Sequence, residues 1–334
     1  MTSTQDCSIG IVPEVTYKTP VTVSRWYEYT DESLDFRKSV KQGLGLRVGG
    51  RVARSTKRVV PTADGGGDFS VEACAKGLGL LLQACMGAGT STLVSAATYQ
   101  ENFTFADSPF PFTLQKGLPQ AGGTVDAYTF AGCVVSQFDF DFPNGDIVKL
   151  KATVDAADMA TATAYAAPSY PADPNNLFHF AGGAITTGTF TAPTPTTMAS
   201  SGTTLANVRG GSLSVNHNIK GDRYNLGGAG RKTKPTNGLR AITGKIDVEY
   251  TDATFRDAYL ADTPMTLILT YTAGALGVGL ETLQIAIPEV KFDGELAKTN
   301  GTDLIVQSMS FQGLDNLVAA QPLYISMRTA DIAL

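Results

Sequence analysis

The sequence has very few residues of the kinds that build catalytic or metal centres. Only two histidines, His179 and His217, occur among 334 residues. The metalloprotease motif, the serine-hydrolase elbow and the calcium-binding loop are all missing. His217 lies in an alternating apolar stretch, where a hydrogen-bonded core histidine is a better interpretation than a base or a ligand. We therefore predict no catalytic residue, no metal site and no enzyme activity.

Cysteine is also scarce, and its spacing indicates neither a metal site nor a disulfide framework. The four cysteines are Cys7, Cys74, Cys85 and Cys133. They form no C-x-x-C pair and lie mostly among apolar neighbours, so we expect buried, reduced thiols. The segment Gly227–Thr233 is similar to a phosphate-binding loop, but Arg231 stands where that loop needs a glycine, so we predict no cofactor.

Long apolar runs are missing as well. No stretch reaches the roughly 18 apolar residues that a membrane-spanning helix needs. The N-terminus carries neither the basic nor the apolar region of a secretory signal peptide, so we expect synthesis in a cytoplasm and no membrane span. The net charge of −5 does not favour binding of nucleic acid through overall charge.

Glycine, proline and short alternating runs are abundant instead. The 35 glycines and 16 prolines argue against a mostly helical protein, and the alternating runs predict a mainly β fold with a few helices. An Ala-, Thr- and Pro-rich segment divides the chain. We predict a first module at 1–155, an exposed insert or linker at 156–205 carrying a small apolar patch at 177–180, and a second module at 206–334.

One stretch of the sequence occurs twice, separated by 177 positions. The matched pairs are Arg54 and Arg231, Lys57 and Lys234, Gly67 and Gly244, and Glu72 and Glu249. The same offset aligns the apolar stripes of two predicted helices, with Leu78, Leu81 and Leu82 opposite Phe255, Ala258 and Tyr259. A shared register for basic loop, strand and helix indicates an internal duplication.

The two predicted helices have recognisable ends. The first covers 72–86 and stops at Gly87, and the second begins after the capping residue Asp252 and ends before Pro264. Before them lie two basic loops, at 47–66 and 221–237. Their positive charge suits an acidic protein partner or solvent better than phosphate, although phosphate remains an alternative.

A hairpin around Pro143-Asn144-Gly145 allows its register to be predicted. A two-residue turn would mix polar and apolar side chains on both faces. A loop of odd length pairs Phe140 with Leu150 and Asp141 with Lys149, which gives one apolar and one salt-bridged face. We predict the odd-length loop, with a β-bulge.

This order of elements resembles the major tail tube proteins of long-tailed, non-contractile bacteriophages. The resemblance is carried by four segments, at 67–86, 128–135, 242–249 and 283–290. It implies two packed β-sheets with a short flanking helix in each module, and inner strands that form a β-barrel between subunits. Stacked rings would then form the conduit for DNA ejection in the virion tail, after assembly in the host cytoplasm.

The resemblance also implies partners and contact residues. In the family the long loop before the helix-bearing strand contacts the next ring, so Arg54, Lys57, Arg231 and Lys234 become candidate inter-ring contacts. Besides itself, the chain would meet tail terminator, tail-tip and tape measure proteins, while DNA passes without specific binding. Two modules per chain imply a trimeric ring with pseudo-six-fold symmetry, and a single module implies a hexamer.

Two rival interpretations remain open from the sequence. The chain could be a surface-exposed β-sandwich of the virion, a decoration or tail-tip protein that binds a host ligand through the insert. An enzyme is the third possibility. Electron microscopy of the purified protein separates them, because only the first hypothesis predicts hollow rings or tubes.

Overall fold

The computed structural model describes residues 3–294, 296–299 and 304–334, and within these it is mainly β with two short α-helices. This confirms the predicted mainly β fold, while the duplicated module and the β-barrel between subunits stay predictions. The strands are β1 (Ser8–Pro13), β2 (Arg25–Tyr27), β3 (Tyr29–Glu32), β4 (Asp35–Gln42), β5 (Arg58–Glu72), β6 (Gly87–Ser95), β7 (Thr98–Phe105), β8 (Phe112–Pro119), β9 (Val125–Phe142), β10 (Lys149–Ala156), β11 (Asp158–Ala160), β12 (Gly183–Thr187), β13 (Thr203–Leu205), β14 (Val208–Asn216), β15 (Ala241–Glu249), β16 (Met265–Ala275), β17 (Leu280–Phe292), β18 (Val306–Gly313) and β19 (Tyr324–Thr329). The helices are α1 (Gly79–Met86) and α2 (Thr254–Leu260).

A central antiparallel sheet runs through both halves of the chain. Its order is β4-β5-β10-β9-β14-β15-β18, so β9 of the first half pairs directly with β14 of the second. The last residues of β17, Val290–Phe292, lie along the far side of β18. The two halves of the chain therefore contribute strands to one continuous sheet.

A second antiparallel sheet packs against the apolar face of the first. Its order is β6-β7-β19-β17-β16-β12-β13. The core between the sheets includes Phe69 and Phe140 of the central sheet, Phe103 of the second sheet and Leu81 of α1, all fully buried. A smaller sheet, β2-β1-β8-β9-β11, covers the first half. Burial of these aromatic and aliphatic side chains supplies the main driving force for folding.

The same order of elements occurs in both halves. A hairpin, a helix and a second hairpin follow each other as β4-β5-α1-β6-β7 and again as β14-β15-α2-β16-β17. β5 ends at Glu72 and β15 ends at Glu249, the two residues that the sequence matched. After these elements the two halves of the chain differ. In the first half, β8 and β9 come before β10, the strand that pairs with β5. In the second half, β17 is followed directly by β18, the strand that pairs with β15.

The register of the β9–β10 hairpin is confirmed. Phe140 pairs with Leu150, and Asp141 pairs with Lys149. Phe138, Phe140 and Phe142 therefore all face the core, and Phe142 stacks on Tyr271 of the second sheet at a centroid distance of 5.5 Å. The irregularity in this pair lies beside Thr153 and Val154, inside the strands.

The first helix is shorter than the apolar periodicity predicted. α1 begins only at Gly79, and the segment before it is extended, since Ala73 and Ala75 bond through their backbones to Val148 and Asn176. Gly77 has a φ of +82°, which a right-handed helix cannot include. The predicted stop at Gly87 is confirmed, with φ at +101°.

Two predicted loops contain more structure than expected. Residues 58–66 belong to β5, so the first basic loop is limited to 43–57. Within the predicted insert, Phe178 is fully buried and β12 pairs with β16. Part of that segment thus builds the core rather than lying on the surface. β12 extends the second sheet, and Phe178 is held beside the central sheet by backbone hydrogen bonds with Ala73 and Val148. The boundaries at 155 and 205 stay predictions.

Candidate assembly surfaces

The face of the central sheet that points away from the core is mostly polar. Along β14 the outward residues are Ser212, Ser214 and Asn216, and they alternate with the buried Leu213 and Val215. This two-residue alternation is the normal consequence of strand geometry when one face of a sheet is buried. The polar face continues across the joint between the two halves.

Charge on this face is predominantly negative. From Asp64 of β5 to Glu249 of β15 the outward carboxylates are Asp64, Asp68, Glu72, Asp139, Asp141, Asp155, Asp247 and Glu249. The cations on this face are Lys149, Lys151, Arg209 and Lys245, and Lys232 of the loop 217–240 contacts Asp64 and Asp155. Lys151 pairs with Asp68, and Lys245 lies 3.0 Å from Asp247. Acidic groups remain in excess, so the face repels phosphate.

The loops 43–57 and 217–240 leave the central sheet at the same end. β5 and β15 each follow one of these loops, and the antiparallel pairings between them make these two strands run in the same direction. We call this the arm end and residues 43–57 the arm. The opposite turn end carries the turn 143–148 and residues 206–210 and 250–253.

The arm is basic and fully on the surface. It carries Arg47, Arg51, Arg54 and Lys57 and contains no acidic residue. Lys57 is exposed and Arg54 is half-exposed, and neither makes an ion pair within the described chain. The arm is therefore a positively charged projection without an internal counter-charge.

The loop 217–240 folds back onto its own chain. Lys232 is buried, and its Nζ lies 2.5 Å from Asp155 Oδ1 and 3.1 Å from Asp64 Oδ2. Burial disfavours its charge, but the hydrogen bonds to these carboxylates prevail and raise the pKa of Lys232. The backbone N–H of Ala63 also donates to Gly230 O at 3.0 Å. The loop 217–240 is therefore held against its own chain by side-chain and backbone contacts, unlike the arm.

The four predicted contact residues thus lie at one end but in different surroundings. Arg231 Nε donates to Asp158 Oδ1 at 2.6 Å, and its guanidinium lies 5.4 Å from the centre of the Phe36 ring. Lys234 is half-exposed, and Arg54 and Lys57 lie on the arm. The charge of Arg231 is thus already paired with Asp158 within the chain. An inter-ring role for all four residues stays a prediction.

Each edge of the central sheet is wholly or partly without a partner strand in the part of the chain that the structure describes. β4 pairs only with β5, and its side chains are exposed except for Phe36. At the other edge β18 pairs with β15 on one side, and on its other side β17 covers Phe311–Gly313 and the backbone N–H of Asp293 donates to Ser310 O. Only the first residues of β18 lack a partner strand on that side among the described residues. Open edges of this kind are templates for pairing with another chain.

The sequence did not reveal these edges, because edge position depends on pairings between distant segments. It also missed four exposed apolar residues of the arm, at Leu44, Leu46, Val48 and Val52. Their positions between glycines and arginines in the sequence could have indicated a contact surface, because exposed aliphatic side chains are not expected on a solvated basic loop.

Among the described residues, no helix has the length and apolar character of a membrane span, and no cluster of three or more potential metal ligands occurs. No curated protein matches the sequence. The family model described as phage tail tube protein matches residues 4–313, which is nearly the whole chain. This agrees with the mainly β architecture and with the resemblance found in the sequence, and the chain belongs to the phage tail tube protein family, whose members are structural components of the virion tail.

Proposed function

We propose that copies of this protein close into rings, and that the rings stack into the hollow conduit through which viral DNA passes into the host cell. The observation that carries the proposal is the pair of open edges of the central sheet, at β4 and at the first residues of β18. A sheet that ends in two unpaired edges is complete only when another copy covers them. Assembly would take place in the cytoplasm of the host.

The joint between β9 and β14 supplies a template for ring closure. β9 runs toward the turn end and pairs antiparallel with β14, the first strand of the second half. The end of β17 runs in the direction of β9, and β4 runs in the direction of β14. The β17–β18 edge of one copy and the β4 edge of the next copy are therefore oriented for the same antiparallel pairing.

We infer from this correspondence that the two halves are copies of one module and that the ring is a trimer with pseudo-six-fold symmetry. Each chain contributes eight strands, counting the end of β17. Eight strands alone would close into a barrel about 15 Å wide, which side chains fill. Twenty-four strands from three chains give a diameter on the order of 45 Å, which leaves an open channel.

The polar face of the central sheet is the surface we assign to the lumen. Its excess of carboxylates repels the phosphates of DNA, which favours passage without specific binding. The opposite face is the apolar core and is unavailable to solvent. Stacking would join the arm end of one ring to the turn end of the next, with Arg54, Lys57, Arg231 and Lys234 as contact residues. The tape measure protein would occupy the lumen during assembly, and terminator and tip proteins would cap the two ends.

Electron microscopy of the purified protein tests ring closure. We expect hollow rings or tubes with three identical subunits in the ring average. Leu304 precedes β18 and is 71% exposed, so Leu304→Asp should block closure and leave folded monomers. The control is Leu93→Asp on β6, at a side chain that is 54% exposed on the second sheet.

A discrete monomer from the unmodified protein would contradict the proposal and favour a decoration or tail-tip protein. Ring formation by Leu304→Asp at the level of Leu93→Asp would contradict the assigned edge. Circular dichroism of both variants establishes that folding is unaffected.

A further inference from the structure

A cavity of about 330 Å³ lies between the central sheet and the second sheet, in the second half of the chain. Small-molecule binding sites have volumes of roughly 300–1,000 Å³, so this cavity falls within their range. Close-packed protein interiors contain few voids larger than a water molecule, and a space of this size is therefore more than a packing defect. Its main apolar walls are Phe142, Leu205, Val208, Ile246, Tyr271 and Phe311.

A glycine of β14 contributes to this space. Gly211 pairs with Phe142 of β9 and with Ile246 of β15, and both of these neighbours are buried in the core. Directly paired residues project on the same side of an antiparallel sheet, so a side chain at position 211 would enter the cavity. Such a side chain is excluded, because a Cβ at Gly211 would collide with the carbonyl oxygen of Lys245. The backbone thus keeps this part of the cavity open.

The cavity is reached from solvent through the Ala- and Thr-rich segment of the chain. Ala184, Thr204 and Ala206 belong to its wall and are exposed, and Phe180, also in the wall, is 39% exposed. All four lie within 180–206, around strands β12 and β13. A small molecule can therefore enter between these residues without separation of the two sheets.

Two polar side chains of the wall decide what kind of ligand fits. Tyr271 is 8% exposed and stacks on Phe142, yet its hydroxyl has no hydrogen-bond partner among the described residues. A buried hydroxyl without a partner favours a ligand oxygen that accepts its hydrogen bond. Lys245 is the charged residue of the described wall, and its ammonium group lies 3.0 Å from Asp247 on the polar face of the sheet. Its charge is thus already paired, and an ionised ligand would lose hydration without gaining a free counter-charge.

We propose that the cavity binds an uncharged apolar small molecule of on the order of ten non-hydrogen atoms, with one hydroxyl or carbonyl oxygen that accepts a hydrogen bond from Tyr271. Transfer of the apolar body from water to the space between Phe142, Val208 and Phe311 supplies the favourable free energy of binding. The site lies within a single chain, so binding does not require ring closure and goes beyond the proposed conduit function.

Isothermal titration calorimetry of the purified full chain with 2-naphthol, an uncharged bicyclic alcohol, tests the site. We expect saturable binding of one molecule per chain. Leu205→Trp and Val208→Phe enlarge two different wall residues and should each weaken binding by about tenfold or more, because they occupy the space that the ligand needs. Leu93→Trp is the matched control, at a side chain that is 54% exposed on β6, and should bind like the unmodified chain.

Two results would overturn the site. One is the absence of 2-naphthol binding by the unmodified chain. The other is unchanged binding by Leu205→Trp or Val208→Phe when circular dichroism shows that the variant is folded. Neither result bears on ring closure, which electron microscopy measures separately.

The chemical class of the ligand has its own test. Tyr271→Phe keeps the aromatic stack and removes the hydroxyl, so 2-naphthol should bind about tenfold more weakly, while naphthalene, which has no oxygen, should bind as before. The anionic analogue 2-naphthoate should bind the unmodified chain more weakly than 2-naphthol does. An equal loss for naphthalene would refute the role of the hydroxyl, and equal affinity for 2-naphthoate would refute the uncharged class.

Discussion

His217 illustrates how burial decides the chemistry of a single residue. Its Nε2 lies 2.7 Å from the carbonyl oxygen of Cys85, and Arg240 Nε donates to its Nδ1 at 3.1 Å. A neutral ring with the proton on Nε2 satisfies both contacts. Burial, and secondarily the charge of Arg240, lower the pKa of His217 to about 4. The prediction of a satisfied core histidine is confirmed.

The pH dependence of unfolding should report this residue. The folded pKa lies below the unfolded value near 6.5, so the stabilisation is complete above pH 6.5 and is lost as the pH falls toward 4. The loss amounts to about 3 kcal/mol across that range. Urea denaturation at pH 7 and pH 4.5 should show a smaller pH effect for His217→Gln than for the unmodified chain. His179→Gln, at an exposed histidine, should behave like the unmodified protein.

Glu101 presents the opposite case. It is fully buried on β7, and neither carboxyl oxygen has a hydrogen-bond partner among the described residues. Burial, with a smaller effect of Asp331, raises its pKa to about 8. The folded state therefore holds a proton that the unfolded chain loses near pH 4.5, and stability falls as the pH rises from 4.5 to 8.

Glu101→Gln should remove the loss of folding stability that Glu101 causes between pH 4.5 and pH 8. We expect equal stability at pH 4.5 and a gain of about 3 kcal/mol at pH 7, because the amide cannot ionise. Denaturation at the two pH values measures the difference. The exposed Glu28→Gln is the control, and a gain of similar size there would refute the assignment to Glu101.

At the scale of the element, Gly67 shows why β5 requires glycine. Its φ is +147°, and a Cβ at this position would collide with the carbonyl oxygen of Ser33 and the Cα of Leu34. Both are backbone atoms of the segment between β3 and β4, so neither can move without disturbing the sheet edge.

We predict that Gly67→Ala destabilises the protein by more than about 2 kcal/mol. Gly122→Ala is the matched control, because Gly122 has no atom within 4 Å of a new Cβ and an ordinary φ. That substitution should change the free energy of unfolding by less than about 1 kcal/mol. Thermal unfolding of the two variants is measured side by side. A loss of stability in Gly67→Ala alone indicates a steric collision at this position, and equal losses in both variants indicate a general cost of replacing glycine.

At the scale of the whole molecule, ionic strength should control stacking. Salt at 1 M shortens the Debye length to about 3 Å, so contacts between the arm and the turn end weaken and tubes should shorten. Arg54→Ser with Lys57→Ser should shorten tubes at 0.1 M salt and reduce the further effect of salt. Sedimentation measures tube length, and a length unchanged by salt would count against the charge contact. Arg231 is a poorer test, because its replacement also breaks the pair with Asp158.

Local pattern predicted much of the molecule. Alternation predicted the register of the β9–β10 hairpin because an odd-length loop puts Phe138 and Phe140 on the same face as Leu150 and Ala152, whereas a one-residue shift mixes polar and apolar side chains. Pattern failed for the start of α1, where Cys74 and Leu78 have helical spacing by coincidence and tertiary hydrogen bonds hold the backbone extended. It also failed for Phe178, whose burial depends on contacts with Ala73 and Val148.

The mainly β class, the repeated order of strand and helix and the basic loops could be predicted from the amino-acid sequence, since each depends on neighbours in the chain. The open edges of the central sheet and the anchoring of the loop 217–240 could not. These features depend on pairings such as β9 with β14 and Lys232 with Asp155. The energies of such long-range contacts depend on three-dimensional packing, which periodicity within one segment does not encode.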